Sequence, residues 1–311
     1  MGIFDVTNTF SAGTKAKASE VNTNFGDTIN TALLVSALRK YFGKAQYVHP
    51  FSLAAGTSSV DSGNVYLLKS LTMSGGTLTV THDTCSSSTV SVQLPTAHFP
   101  VVFIVDGDVS ITSGTIDFKG QGYAGGAGGL GGGSPHSGVS GKGCEVKCGY
   151  AAGTTGGGGG AVGTPGGGAS GSASNGTAGS GGGGAAGVYT AFSAAEIPDD
   201  FYNALNIFSG AGGGGGGGTT SYDGAPGGDG GLSLIIICSG NLIFTGGTID
   251  VRGNAGSSGF DKSGGGGAGG DILFLYHGTY TSGGTTLCTG GAGGSPGGGS
   301  GGNGQLRAAS F

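Results

Sequence analysis

The chain contains 311 residues, of which 79 are glycine, and only 9% of its residues are charged. Its 12 basic residues are outnumbered by 17 acidic ones, for a net charge of −5, and this balance argues against a nucleic-acid partner. No segment is long and apolar enough for a transmembrane helix, so we expect no membrane insertion.

The first predicted element is an amphipathic helix over residues 19–42, and we expect no secretory signal peptide from the residues before it. One face of this helix carries apolar residues at helical spacing, namely Val21, Phe25, Ile29 and Leu33. A single helix cannot bury such a stripe by itself, so we expect it to pack on a neighbouring chain or on the strands that follow. Residues 1–43 are therefore predicted to form an attachment and oligomerisation segment.

Residues 44–100 read as a β-rich connector. Strands are predicted at residues 65–68, 77–81 and 89–94, with serine, threonine and glycine between them. A domain boundary is predicted near residue 100, so that residues 101–311 form a separate glycine-rich repeat domain.

Internal repeats follow this boundary. Residues 107–120 (GDVSITSGTIDFKG) and 240–253 (GNLIFTGGTIDVRG) align without gaps at an offset of 133, and residues 278–290 and 74–81 are shorter relatives. Each unit is a strand, a Gly-Gly-Thr or Ser-Gly-Thr turn or bulge, and a second strand with alternating apolar residues. Repetition of this kind predicts stacked supersecondary units rather than one closed globule.

Residues 120–304 hold most of the glycines, many of them in uninterrupted runs. One interpretation is a disordered tract, because glycine loses the most backbone entropy on ordering. The apolar segments 232–238 (LSLIIIC) and 272–276 (ILFLY) favour order, because an unstructured chain that exposes them would aggregate. Glycine runs can pack as extended three-residue helices that hydrogen-bond to their neighbours. We therefore predict a mainly β fold with an N-terminal helix, repeated strand units, and polyglycine II-type helices packed in layers.

Aromatic residues within the glycine field are candidate contact residues, because rigid rings on short loops give contact area at low entropic cost. The candidate set is Tyr222, Asp223, Phe260, Asp261, Lys262, Tyr189, Phe192, Phe201 and Tyr202. An alternative applies to residues 188–209, which hold the last four of these and could instead form a small core that caps the glycine layer.

Catalytic chemistry has little support in the sequence. Asp106, Asp108 and Asp117 could act as paired carboxylates, as in a glycosidase. An alternative is a solvent-facing charge pair repeated in both units, Asp117 with Lys119 and Asp250 with Arg252. The five cysteines show no disulfide framework, and His136, Cys144 and Cys148 lack a fourth zinc ligand. We predict no enzyme activity, no metal and no cofactor.

Two features carry a resemblance to known proteins. The pattern at Phe10, residues 12–14 (AGT), Ala16 and residues 20–25 (EVNTNF) resembles the N-terminal segments of bacteriophage tail-fibre and other virion proteins. The glycine field resembles tail-tip adhesins whose distal domain is a sandwich of polyglycine helices. In those adhesins, loops between the glycine motifs contact the host surface.

The resemblance implies a phage tail fibre or receptor-binding adhesin that mediates host attachment. The expected location is the virion, after synthesis in the host cytoplasm, and the expected partners are sister chains in a homotrimer, other virion proteins and a receptor on the host surface. Two alternatives stay open: a structural virion protein without a receptor, and a tailspike-like glycan hydrolase.

Overall fold

The computed structural model describes residues 45–47, 50–62, 65–81, 100–129, 209–210, 212–217, 222–260 and 262–310. In these residues the regular elements are β-strands, which form a six-stranded sheet (sheet A) and an eight-stranded sheet (sheet B). The prediction of a mainly β fold is confirmed. The helix predicted at residues 19–42 and the strand predicted at residues 89–94 lie outside the described residues.

The strands follow one another in chain order with these bounds: β1 (Ala45–Tyr47), β2 (Phe51–Leu53), β3 (Thr57–Asp61), β4 (Val65–Leu68), β5 (Leu71–Thr81), β6 (Val101–Val105), β7 (Val109–Asp117), β8 (Leu234–Cys238), β9 (Leu242–Phe244), β10 (Thr248–Asp250), β11 (Ile272–Tyr276), β12 (Tyr280–Ser282), β13 (Thr285–Leu287) and β14 (Leu306–Ser310). Sheet A has the order β1-β4-β6-β8-β11-β14. In sheet B, β5 pairs with β7, and β7 pairs with both β9 and β10. Strand β9 pairs in turn with β12, and β10 pairs with β13.

The chain alternates between the two sheets, since each sheet A strand before β14 is followed by one or two sheet B strands. Every pair of neighbouring strands is parallel. A path of this kind is a parallel β-solenoid, in which each coil stacks on the one before it. The glycine-rich segments leave the solenoid where a sheet B strand ends and return where the next sheet A strand begins.

The internal repeats stack in register. Val109 lies opposite Leu242 and Ile116 opposite Ile249, so the pairing keeps the offset of 133 seen in the sequence. The shorter relatives at residues 74–81 and 278–290 are the neighbouring layers of the same sheet. The prediction of stacked units is confirmed. The Gly-Thr positions form a bulge within one side of a coil and not a hairpin, because the strands before and after them stay parallel to the same partners.

Glycine at the bulge is required by the backbone. Gly76, Gly114 and Gly247 occupy three successive layers and have φ angles of 70°, 92° and 78°. Residues with a Cβ rarely adopt this left-handed region. Sheet B can therefore repeat the same bend only where each layer carries a glycine there.

The core lies between the two sheets. Its largest fully buried side chains are aromatic or long aliphatic, including Phe103, Phe118, Phe244 and Phe274. Phe274 contacts the ring of Phe244 at a centroid distance of 6.2 Å and that of Tyr280 at 5.9 Å, both edge to face. The aromatic contacts therefore link successive layers across the core.

The two sheets differ on their outer faces. In sheet B the strands alternate buried and more exposed residues, as in β7, where Val109 and Ile111 are buried and Thr112 is exposed. In sheet A, β4, β6 and β8 are buried at every position. Sheet A therefore has a second apolar face, which points away from sheet B.

The sheets continue across the predicted boundary near residue 100. β4 pairs with β6, and β5 pairs with β7. The described residues 45–81 are therefore coils of the same solenoid as the repeats that follow, although the sequence suggested a connector and a separate domain. Within the described part of the chain, no helix is long and apolar enough to cross a membrane.

Candidate functional site

In the described part of the chain, seven glycine-rich stretches project from the solenoid, and together we call them the glycine lobe. They are residues 120–129, 209–210 with 212–217, 222–231, 251–259, 262–271, 288–294 and 297–304. Segment 222–231 continues into β8, segment 251–259 leaves β10, and segment 262–271 continues into β11. The arrangement of these segments in the lobe therefore follows the sequence of the solenoid coils that they join.

Backbone hydrogen bonds join these segments at intervals of three residues. Segment 209–217 bonds to three other segments, 120–129, 222–231 and 262–271, whereas a strand in a flat β-sheet has at most two neighbours. The amides of Tyr123, Gly126 and Gly129 donate to the carbonyls of Gly210, Gly213 and Gly216, and the amides of Gly210, Gly213 and Gly216 donate to the carbonyls of Gly231, Gly228 and Ala225, all at 2.7–3.1 Å.

Close packing explains why the lobe is made of glycine. A Cβ on Gly212 or Gly215 would overlap the carbonyl oxygen of Ala124 or Ala127, respectively. A Cβ on Gly213 would overlap the carbonyl oxygen of Gly265 on a different segment. Successive residues of one run therefore face different neighbours, and a side chain has no room on any of these sides.

The ends of the glycine segments far from the solenoid form the lobe tip, where two exposed rings meet. Tyr222 is 44% exposed and Phe260 is 77% exposed. Their rings stack with centroids 4.7 Å apart and an interplanar angle of 23°. Of the three large hydrophobic side chains that are exposed in the described residues, two form this pair, and the third, Leu306, is on β14. The structure thus brings together the two rings that the sequence placed on separate loops.

Hydrogen bonds hold the two loops together beneath the rings. The amide of Ala225 donates to the carbonyl of Lys262 at 3.0 Å, and the amide of Ser257 donates to the carbonyl of Pro226 at 3.0 Å. The amide of Gly259 donates to Ser263 Oγ at 3.2 Å. The rings therefore extend from a braced backbone.

The other predicted contact residues have different positions. Asp223 is exposed beside Tyr222. Lys262 is only 7% exposed, because it begins the buried segment that returns to β11, so its side chain is not part of the exposed surface of the tip. Residues outside the described part of the chain are Asp261, Tyr189, Phe192, Phe201 and Tyr202, and also the stripe residues Val21, Phe25, Ile29 and Leu33.

Two features of the tip were not predicted from the sequence. Pro226 and Ser257 are exposed next to the ring pair, and the amide of Ser295 donates to Ser258 Oγ at 3.0 Å, which joins a third loop to the tip. The dipeptide Ser295-Pro296 is a local turn signal, but its partner lies 37 residues away in the chain. Only the stacking of coils brings them together.

The aspartates proposed as paired carboxylates each have a structural partner. Asp106 forms an ion pair with Lys69 at 3.2 Å, and Asp108 Oδ1 accepts a hydrogen bond from the amide of Asn241 at 2.6 Å. Asp117 Oδ1 accepts one from the amide of Lys119 at 3.3 Å. These contacts brace the turns between coils.

The repeated charge pair differs between its two copies. Arg252 donates from Nε to Asp250 Oδ1 at 2.9 Å and from Nη2 to Oδ2 at 2.6 Å, so the pair is bidentate. Burial alone would raise the pKa of Asp250, but the hydrogen bonds from Arg252 outweigh it and the pKa is lowered. Asp250 is only 7% exposed, so the prediction that this copy faces solvent is wrong.

The thiols in the described residues are not activated. Burial raises the pKa of Cys238 to about 12 and that of Cys288 to about 12, so neither is a thiolate at neutral pH. In the same part of the chain, no three His, Cys, Asp or Glu side chains are grouped so that they could hold a metal ion.

No known protein family, no curated protein and no solved structure matches this chain. The assignment of a function therefore depends on the residues and on the geometry given above.

Proposed function

We propose that this chain is a virion-associated fibre or adhesin whose lobe tip contacts a receptor on the host surface. The stacked pair of Tyr222 and Phe260 carries the proposal. Exposed aromatic rings on a monomeric surface are costly to leave in water and are typical of interaction sites. The resemblance of the N-terminal segment to phage tail-fibre proteins supports the virion location, with synthesis in the host cytoplasm.

The glycine segments are proposed to be polyglycine II helices packed in layers. Hydrogen bonds at three-residue intervals to several neighbours support this, because such a helix has three residues per turn and no internal hydrogen bonds. With a rise of about 3.1 Å per residue, a ten-residue segment such as 262–271 would span about 30 Å. The helices would act as a stiff arm that holds the tip away from the solenoid.

A rigid arm suits attachment because it lowers the entropic cost of binding. Rings that are already stacked and braced by backbone hydrogen bonds lose little freedom when a receptor covers them. Asp223 adds a polar group beside the rings, which is the usual composition of a contact patch. The carboxylates proposed for catalysis serve the turns of the solenoid, so we propose a binding protein and not a hydrolase.

The N-terminal segment 1–43 is proposed to join the chain to sister chains, as a homotrimer, and to other virion proteins. The amphipathic stripe of Val21, Phe25, Ile29 and Leu33 supports this role from the sequence. A structural virion protein without a receptor is the remaining competing function. The two differ in what the lobe tip does.

The test is the double substitution Tyr222→Ala with Phe260→Ala in assembled particles. Loss of a receptor contact made by both rings should reduce adsorption to the host by tenfold or more, which corresponds to at least about 1.4 kcal/mol. Adsorption is measured as the rate at which free particles disappear when mixed with host cells. The melting temperature of the purified variant should stay close to that of the wild type, because both rings are exposed.

The matched control is Leu306→Ala, which removes the third exposed large hydrophobic side chain at a site on the solenoid. This variant should adsorb normally. If correctly assembled Tyr222/Phe260 particles also adsorb normally, the lobe tip is not the receptor surface and the structural role gains support. If the double variant is misfolded, the rings are structural and the proposal also fails.

A further inference from the structure

The ring pair at the lobe tip has an open aromatic face. The rings of Tyr222 and Phe260 are stacked with centroids 4.7 Å apart, so each ring covers one face of the other. Phe260 nevertheless keeps 77% of its surface exposed, and Tyr222 keeps 44%. The face of Phe260 that points away from Tyr222 is therefore open to solvent.

The apolar surface that the two rings offer is small. Phe and Tyr side chains each have about 150–250 Å² of surface, so the two exposed fractions amount to about 250 Å² together. A stable protein–protein interface buries about 800 Å² on each partner. Leu306, the third large hydrophobic side chain exposed in the described residues, is on β14 and does not extend this patch. The patch therefore matches one small, flat group better than the surface of a protein.

Polar groups that can bind hydroxyl groups flank the rings. Asp223 is exposed beside Tyr222, and its carboxylate has several acceptor sites. Ser258 is exposed two residues before Phe260, and its Oγ accepts a hydrogen bond from the amide of Ser295 at 3.0 Å. A serine hydroxyl that accepts one hydrogen bond still has its own hydrogen to donate. The tip thus offers an acceptor and a donor next to an aromatic face.

The charge at the tip disfavours an anionic ligand. Asp223 is the charged side chain that is exposed there in the described residues, whereas Lys262 is only 7% exposed. The other described lysines and arginines are on the solenoid strands or within two residues of them, namely Lys69, Lys119, Arg252 and Arg307. A carboxylate or phosphate on the ligand would therefore be repelled by Asp223 without a nearby cation to offset the repulsion.

A neutral pyranose sugar combines the properties that this surface selects. One face of its ring carries C–H groups, which pack on the negative face of an aromatic ring because their hydrogens are slightly positive. Its edge carries hydroxyl groups that both donate and accept hydrogen bonds. The sugar ring is similar in size to the phenyl ring of Phe260, so a single sugar can cover the open face.

We propose that the lobe tip binds a neutral sugar residue of a host-surface glycan. The sugar packs its apolar face on the open face of Phe260, and its hydroxyls bond to Asp223 and Ser258. Backbone hydrogen bonds join the two loops beneath the rings, so the platform is formed before a sugar arrives. This inference rests on the proposed function, since it assigns the chemical class of the receptor at the same tip. A protein receptor is the competing class.

The first test removes one class of receptor at a time from host cells. Mild periodate cleaves the vicinal diols of sugars, and proteinase K removes exposed proteins. We expect periodate to lower the adsorption rate of wild-type particles by tenfold or more, and proteinase K to leave it within about twofold. Loss after proteinase K alone would identify a protein receptor and overturn the inference. The proposed function would survive that result, because it depends on whether particles with Tyr222→Ala and Phe260→Ala adsorb.

The second test measures binding by the purified full chain. The probe is polysaccharide released from the host envelope by mild acid, freed of protein and immobilised on a sensor surface. Phe260→Leu keeps an apolar side chain but loses the aromatic face, so we expect its affinity to be at least tenfold weaker. Phe260→Trp keeps an aromatic face and should bind within about threefold of the wild type. Leu306→Ala is the control on the solenoid and should bind like the wild type.

Two outcomes of this measurement would overturn the inference. Equal affinity of Phe260→Leu and the wild type would show that the aromatic face does not matter, and absence of binding by the wild type would exclude the glycan. Salt checks the neutral class, because screening weakens contacts between charges and leaves a neutral contact unchanged. A steep fall in affinity at high salt would contradict a neutral sugar. The periodate and wild-type measurements need no substitution, so they decide the question even where a variant does not fold.

Discussion

The solenoid and the glycine lobe both contain buried chain segments, but the two regions are packed with opposite kinds of residue. In the solenoid, successive layers are held by large side chains, and Phe103, Phe244 and Phe274 are almost completely buried. In the lobe, backbone packs on backbone, and a single Cβ at many glycines would overlap a carbonyl oxygen. A buried segment therefore needs either side chains that fill space or no side chains at all, provided that its backbone groups are hydrogen-bonded.

This contrast explains how one chain combines both regions. The solenoid supplies the free energy of apolar burial, and its strand ends set where each glycine segment begins and ends. The lobe contributes little apolar burial, since it has few side chains. We infer that the lobe depends on the solenoid for its order, and substitutions in the two regions should therefore act through different mechanisms.

The largest effect is expected in the solenoid, for Phe274→Ala. Phe274 is 0% exposed and its ring contacts those of Phe244 and Tyr280, so truncation leaves a cavity between layers. The expected loss in the free energy of unfolding is about 3–5 kcal/mol, measured by urea denaturation. Ile243→Ala is the control, because Ile243 is only partly buried on the outer face of sheet B, and it should cost much less free energy of unfolding. Equal losses would mean that the space between the sheets is not the main core.

In the lobe, a smaller loss in the free energy of unfolding is expected for Gly215→Val, because this substitution adds a side chain where the solenoid variant removes one. The new side chain would meet the backbone of Ala127, which cannot move without breaking the hydrogen bonds around it. We expect a cost of about 1–3 kcal/mol, as for overpacking of a core, measured by the same denaturation.

Ala127→Val is the matched control for the lobe, because Ala127 lies on the facing segment and is exposed. This substitution should change the free energy of unfolding by less than about 0.5 kcal/mol. If Gly215→Val were equally silent, the run would behave as a flexible linker, and the comparison of two packed regions would not hold.

The smallest effect is expected at the junction of the two regions, for Asp271→Asn. Asp271 lies directly before β11, its Oδ1 accepts a hydrogen bond from the amide of Gln305 at 2.8 Å, and burial raises its pKa above the ordinary value. A raised pKa in the folded state means that stability is fully present below the ordinary pKa of about 3.9 and is lost as the pH rises through the folded value.

Asparagine keeps the acceptor oxygen but has no charge, so the variant should not show this loss. Thermal melts from pH 3 upward should give wild-type stability that falls relative to Asp271→Asn as the pH rises above about 4. Curves that stay parallel over this range would show that the carboxyl group does not titrate in a buried site.

The repeats were the part of the fold that the sequence predicted best. The offset of 133 between residues 107–120 and 240–253 became the pairing register of β7 with β9 and β10. Local patterns suffice there, because alternation and glycine bulges are properties of neighbouring residues. The domain boundary near residue 100 rested on a change of composition, but composition does not reveal that β4 and β6 are neighbours in one sheet.

The exposure of the candidate contact residues was predicted in part. Tyr222 and Phe260 were candidates because each is a ring in a glycine-rich stretch, and both are exposed. Their stacking could not be predicted, because they belong to different loops that meet only when two coils are adjacent. Lys262 was grouped with Phe260 because it is two residues away, but it is buried, since the chain turns back into the lobe at that point.

The sequence by itself determined the mainly β character, the repeat register and the places where only glycine is tolerated, because these depend on local periodicity and backbone sterics. The tertiary structure decided that all strand pairs are parallel, that sheet A is covered on both faces, and that Asp250 is buried while Asp117 is exposed. These properties depend on which coils are neighbours. A local sequence pattern does not predict contacts between residues that are far apart in the chain. The same reason applies to the ring pair at the lobe tip, which exists only because two glycine segments return to adjacent strands.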